Sequence, residues 1–244
     1  MKLTILGNNG PFPAAGGACS GYLVQEGSTN LLIDCGNGVL SNLQKIINIE
    51  DLDAIILTHL HSDHISDMMV LKYAIQVKKD KGALNKTFNV FAPQEPAEEY
   101  KRINIKNVFE MHPVTEELKL QFGILKVSFR EMKHPVKCYG ISADNGSKRF
   151  VFSGDTAWNE NIIDFSMNAD LLMLDAGLLT KDKSSEDVPH LTAAECGMIA
   201  ARAEVKRLIL THFWPEYELS EILGEARQYF QNAELSKLLN SYEI

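Results

Sequence analysis

Short apolar runs bounded by turn residues recur along the chain and predict strands at Leu3–Leu6, Tyr22–Gln25, Leu31–Cys35, Ala54–His59, Phe88–Ala92 and Leu118–Gln121. The same pattern continues at Ile124–Phe129, Tyr139–Ala143, Phe150–Ser153, Leu171–Leu174 and Leu208–Thr211, with Asp144-Asn145-Gly146 as a hairpin turn. Helical spacing predicts one helix over Ser62–Lys79, where Ile65, Met68, Met69, Ala74 and Ile75 recur at apolar positions. Further helices are expected at Val39–Ile47, Ala193–Ala203 and Leu219–Leu239, the last an amphipathic C-terminal segment. Strands outnumber helices, and no Pro/Ser-rich linker or internal repeat divides the chain, so one mixed α/β domain over residues 1–244 is expected. The least patterned stretch is Val77–Thr115, whose Lys78-Lys79-Asp80-Lys81 run reads as a solvated helix end.

With 45% hydrophobic residues in 244, the chain has the apolar content for a sizeable core, which excludes intrinsic disorder. Its formal net charge of −8 speaks against a sequence-independent grip on long nucleic acid. The uncharged stretch from Leu3 to Gln25 is broken by Gly, Pro and Asn, so it is neither a membrane span nor a signal segment. Four singly scattered cysteines (Cys19, Cys35, Cys138, Cys196) fit a reduced protein, and a soluble, cytoplasmic location is expected.

The chemistry concentrates in Thr58-His59-Leu60-His61-Ser62-Asp63-His64, directly after an apolar strand. On an extended chain leaving that strand, His59 and His61 point to one side, while Asp63 and His64 turn inward as a helix begins. The run therefore offers two nitrogens to one metal and an oxygen plus a nitrogen to a second. His134, Asp155, His190 and His212 each stand at or just beyond a predicted strand end, so that of seven histidines only His112 is left over.

His59-x-His61-x-Asp63-His64, then the lone His134, then Ser153-Gly154-Asp155-Thr156, then Leu210-Thr211-His212, resembles the metallo-β-lactamase superfamily over nearly the whole chain. The resemblance implies a four-layered αββα sandwich with two divalent metal ions at the loop ends between two sheets. One ion would take His59, His61 and His134, the other Asp63, His64 and His212, with Asp155 bridging both. Zinc suits these donors, and manganese or iron can occupy similar nitrogen and oxygen sites. A metal-bound water with its pKa lowered to about 7 would then supply hydroxide at neutral pH. In the same resemblance Asp63 would accept the nucleophile's proton. The oxygen-reducing diiron branch carries an acidic residue where this chain has His61, which favours hydrolysis over redox chemistry.

His190-Leu191-Thr192-Ala193-Ala194-Glu195 is similar to the His-Ser-Thr-Ala element of the ribonuclease Z and phosphodiesterase branch, where that His faces the scissile phosphate. His190 would stabilise the transition state or protonate the leaving oxygen, with Asp175 orienting it. Ribonuclease Z carries a long arm between its lone-His and Gly-Asp motifs, but only twenty residues separate His134 from Asp155 here. A nucleotide or short RNA-like phosphodiester is therefore the expected substrate. The competing expectations are a ribonuclease Z-like transfer RNA 3′-processing nuclease, a carboxyl-ester or lactone hydrolase of the same fold, and a noncatalytic metal-binding module. A homodimer is expected only by analogy with the phosphodiesterase branch. Asp34 matches a family position that supports a ligand His from behind, or equally caps the helix that follows Gly38. The glycine-rich loop over residues 7–17 offers backbone N–H groups to a phosphate or is a plain loop at the metal mouth, and Phe213-Trp214-Pro215 offers either a stacking face or wall packing.

Overall fold

The computed structural model describes residues 1–186 and 188–244. In chain order its strands are β1 (Lys2–Gly7), β2 (Gly21–Glu26), β3 (Thr29–Ile33), β4 (Ala54–Ile56), β5 (Phe88–Ala92), β6 (Phe109–Pro113), β7 (Lys119–Phe122), β8 (Leu125–Glu131), β9 (Tyr139–Asp144), β10 (Arg149–Phe152), β11 (Leu171–Asp175), β12 (Leu208–Thr211), β13 (Ala233–Leu235) and β14 (Ser241–Glu243). The helices are α1 (Val39–Leu43), α2 (Ser62–Ile65), α3 (Met68–Asp80), α4 (Ala97–Ile103), α5 (Glu160–Ser166), α6 (Ala193–Arg202) and α7 (Leu219–Arg227).

Two seven-stranded sheets form, ordered β14-β1-β2-β3-β4-β5-β6 and β13-β12-β11-β10-β9-β8-β7. Each has an antiparallel half made of hairpins and a parallel half, β3 to β6 and β10 to β13, whose strands need crossovers. The helices are those crossovers. Alternation along the strands then sorts side chains into layers. Leu3, Ile5, Tyr22, Val24, Leu31 and Ile33 pack between the sheets against Leu125, Val127, Phe150, Phe152 and Met173. Leu6, Leu23 and Leu32 face the opposite way, onto Val39, Leu43, Met68 and Leu71 of α1 and α3. On the second sheet Val151, Leu172 and Leu210 face Ile162, Ile199 and Ile222 of α5, α6 and α7. Strands buried on both faces explain the continuous apolar runs in the sequence, and the result is the expected αββα sandwich.

Four expectations change. The strand over Ala54–His59 closes at Ile56, and Leu57 to His61 leave the sheet as an extended exit. The single helix over Ser62–Lys79 breaks between Ile65 and Met68, because Asp67 is drawn elsewhere: its N–H donates to Cys35 O at 3.0 Å and its Oδ2 accepts from Leu40 N at 2.8 Å. The unpatterned Val77–Thr115 stretch holds α4 and β6 besides the expected β5. The expected helix over Leu219–Leu239 stops at Arg227; Ala233–Leu235 then joins the second sheet beside β12, and Ser241–Glu243 joins the first beside β1. All four cysteines are buried and unpaired, and burial pushes their thiols up, Cys19 to about 12. Among the described residues no helix is long and apolar enough to cross a membrane.

Candidate metal centre

The C-terminal ends of β3, β4, β8, β10, β11 and β12 open toward one rim, and the chain leaving each carries one or more polar side chains: Asp34, His59 to His64, His134, Asp155, Asp175 and His212. Three groups result, the last two sharing Asp155 and His212. His59, His61 and His134 form the first; Asp63, His64, Asp155 and His212 the second; Asp155, Asp175, His190 and His212 the third. In the first, His61 Nδ1 lies 3.1 Å from His59 Nε2 and 3.1 Å from His134 Nε2. In the second, His212 Nε2 is 3.2 Å from both Asp63 Oδ2 and Asp155 Oδ2, and His64 Nε2 is 3.3 Å from Asp155 Oδ1. Asp155 reaches toward the first group as well, with His59 Nε2 3.8 Å from its Oδ2.

Partners behind the rings decide which nitrogen carries a proton. The Thr58 hydroxyl donates its one hydrogen to Asp34, so at 3.1 Å it accepts from His59 Nδ1. His134 Nδ1 donates to the Pro189 carbonyl at 3.2 Å, and His64 Nδ1 to Asp34 Oδ2 at 2.8 Å. His212 Nδ1 faces Asp175 Oδ1 at 3.4 Å. Each Nε2 is thereby turned inward, the arrangement in which an outer carboxylate or carbonyl orients a metal-ligating histidine. Three buried atoms at this point, His64 Nε2, Asp155 Oδ1 and His212 Nδ1, have no hydrogen-bond partner among the described residues. Donors about 2.05 Å from a common tetrahedral centre stand roughly 3.3 Å apart, which is the spacing seen here, so these residues fit a metal ion.

The electrostatics of the groups diverge. Burial holds His59 well below the ordinary histidine value and also lowers His61 and His134. Burial pulls His64 and His212 down too, but Asp155 with Asp34 and Asp63 around His64, and Asp155 with Asp175 around His212, outweigh it and hold both well above that value. For Asp63 and Asp155 burial pushes upward and the facing histidines outweigh it, so both remain anionic.

His190, half-buried at the mouth, stands beside this centre. Its Nδ1 is 2.8 Å from Asp175 Oδ2, and its ring stacks on His212 with centroids 5.1 Å apart. Asp175, fully buried, also accepts from Gly177 N at 2.9 Å and Thr156 N at 3.3 Å, so it spans His190 and His212 from a fixed position. The left-over His112 is elsewhere, bonded to Asn89 at 2.9 Å and stacked on Phe91.

Several supporting residues carried no sequence signal. Ser153 Oγ accepts from Asp175 N at 3.1 Å, a contact between neighbouring strands. A Cβ on Gly10 would sit 2.0 Å from His212 Nε2, so only glycine lets that loop lie against the ring. His212 itself is left-handed, at φ 60, and is held there by Phe213 N donating to Asn8 O at 2.8 Å. The loop's own N–H groups at Asn8, Asn9, Gly10 and Gly17 all donate to protein carbonyls, so these four do not cradle a phosphate. Thr58, next to the His run, Ser153, in the Ser-Gly-Asp-Thr motif, and Gly10, in the glycine-rich loop, stood in stretches already singled out, but nothing in the sequence signalled these particular contacts.

A family model described as a β-lactamase superfamily domain matches residues 29–213, which span all three groups. The chain belongs to the metallo-β-lactamase superfamily. Within it, the chain is 33% identical over 236 residues to a probable metallo-hydrolase, YhfI, of Bacillus subtilis, covering 97% of this chain and 96% of the relative. The crystal structure of that Bacillus subtilis protein superposes with a TM-score of 0.94 at 32% identity, over 99% of this chain and 98% of the other. Ribonuclease Z of Archaeoglobus fulgidus is 24% identical, in an alignment of 305 positions that covers 100% of this chain and 98% of the relative. The crystal structure of human tRNase Z, short form, shares the fold with a TM-score of 0.80 at 20% identity, over 100% and 99% of the two chains.

Proposed function

We propose that this superfamily member is a metal-dependent hydrolase, a dinuclear zinc phosphodiesterase whose substrate is a nucleotide or a short RNA-like phosphodiester. The observation that carries the reading is the His190–Asp175 pair, set 2.8 Å apart immediately beside the shared carboxylate Asp155. His59, His61 and His134 would hold one ion, Asp63, His64 and His212 the other, and Asp155 both. When bound, such a pair of divalent ions lowers the pKa of water and neutralises phosphate charge.

The remaining work falls to side chains. Although burial pulls His190 down, Asp175 outweighs it and raises its pKa, which favours the protonated ring. With Nδ1–H donated to Asp175, Nε2–H is left to protonate the leaving oxygen or steady the charge on the phosphoryl group. Asp63, anionic and 9% exposed, is placed to take the proton of the attacking water. Substrate size follows from β9 and β10. They form a tight hairpin closed at Asn145 N to Lys148 O, 3.1 Å, which fills the interval between His134 and Asp155 with no arm. That, with the net charge of −8, supports a small diester over a folded transfer RNA.

The test is hydrolysis of bis(p-nitrophenyl) phosphate by zinc- or manganese-reconstituted protein beside His190→Ala. Turnover is expected, and the variant should lose about 10²- to 10⁴-fold in kcat with its metal content unchanged. No turnover by protein with metal demonstrably bound, or carboxyl-ester turnover indifferent to His190→Ala, would overturn the reading.

A further inference from the structure

We propose that Phe12 and Trp214 form a stacking platform for the base of a nucleotide whose phosphate sits at the metal centre. The proposal rests on the phosphodiesterase reading and adds the recognition element that reading lacks. Trp214 follows the candidate ligand His212 by two residues, and Phe12 follows Gly10, whose backbone lies against the His212 ring, by two residues on the other side. The two rings meet with centroids 5.5 Å apart and planes at 76°. In such an edge-to-face pair the ring that gives its edge keeps both faces free of the contact, so the pair makes an open corner and not a closed stack. Phe12 is 43% exposed, a large apolar ring left in water two residues from the backbone that lies against the His212 ring.

The corner is held in place before any ligand arrives. Asn9 pairs with Cys19 and with Phe213, Gly10 N donates to Phe213 O at 3.2 Å, and the Asn9 side chain clamps Phe213 O at 3.3 Å and Ala14 N at 3.2 Å. Both aromatic residues therefore flank one stitched pair of segments, with no loop to order on binding. A planar, uncharged heteroaromatic ring attached through a sugar to a phosphate fits this geometry. Every base has a π-face, so the platform gives affinity for nucleotides without choosing among the bases.

The chain has two tryptophans, and Trp158 packs beside Arg202, with the guanidinium 5.7 Å from its ring, outside the catalytic machinery. In metal-loaded Trp158→Phe protein, Trp214 is then the sole indole reporter. Adenosine 5′-monophosphate should quench its fluorescence and bind about tenfold or more tightly than ribose 5-phosphate, measured by titration. Phe12→Ala should bring the two affinities within about twofold of each other by weakening only the nucleotide, and Phe12→Tyr should restore the gap. Equal binding of the two phosphates, or equal weakening of both by Phe12→Ala, would refute the platform while leaving the phosphate reading standing. If neither binds, the phosphate reading fails and the platform with it.

Discussion

The three-histidine group and the carboxylate-rich group meet at Asp155, which belongs to the second and stands 3.8 Å from His59 of the first, yet are built on different principles. His59, His61 and His134 are kept neutral by burial, with lone pairs already bare. His64 and His212 are instead pushed toward the protonated form by the carboxylates Asp63 and Asp155 facing them, which lets the second group balance its charge internally with protons. A buried carboxylate pair is costly unless compensated. The difference teaches that one group is prepared to receive a cation, whereas the other must exchange its own positive charge for one.

The strongest way to break this contrast is at the shared residue. Asp155→Ala should empty or scramble both groups and cut diester turnover by about 10³-fold or more, with metal content by elemental analysis as the check. Retained metal in both groups would show that Asp155 does not couple them. Next comes pH. Metal entering the carboxylate-rich group must expel the protons on His64 and His212, so its occupancy should fall as pH drops through and below neutrality. The three-histidine group, with depressed values, should keep its ion to lower pH. Calorimetry in buffers of different ionisation enthalpy should register proton release for one ion and little for the other; equal release would erase the distinction.

Two outer-shell changes sharpen the comparison group by group. Asp34→Asn replaces the charged acceptor behind His64 Nδ1 by a neutral amide and should weaken metal binding in the carboxylate-rich group by about 10- to 100-fold. Thr58→Val removes the acceptor behind His59 Nδ1 and should weaken the three-histidine group by about tenfold or less. Competition with a chromophoric chelator reads both; swapped effects would mean the groups are misassigned. The smallest effect is a control outside the centre. Asp170 accepts from Arg149 N at 2.9 Å and Lys206 Nζ at 2.7 Å, and against the pull of burial these partners lower its pKa to about 2. Its carboxylate therefore stabilises the fold above about pH 4, and that contribution is lost as pH falls toward 2. Asp170→Asn should cost about 1–2 kcal/mol in urea unfolding at pH 7, less near pH 3, and leave metal binding untouched.

How far the sequence could be read follows the same division. The run from His59 to His64 was legible because six consecutive positions leave one strand and enter one helix, so local geometry alone puts them together. His134, Asp155 and His212 were legible only as polar residues at strand ends, and His190, expected at one, lies instead in the loop before α6, fifteen residues past β11; what joins them is the order β12-β11-β10-β9-β8, which no local pattern encodes. Strand β5 appears at the expected Phe88–Ala92 because its alternation is undisturbed. The break before α3 was invisible because its cause, the bond from Leu40 N to Asp67, comes from another helix. Near the C-terminus, apolar spacing compatible with a helix serves two three-residue edge strands, a length at which periodicity does not discriminate.

The four unpaired thiols have a practical side. All are sealed in the interior and held in the un-ionised form, which is the unreactive one toward alkylating agents and disulfide reagents. The folded protein should therefore ignore such reagents and become labelled only when it opens, giving a built-in clock for unfolding. A cysteine introduced at a surface position could then carry a spin label or dye without first removing any of the natural ones.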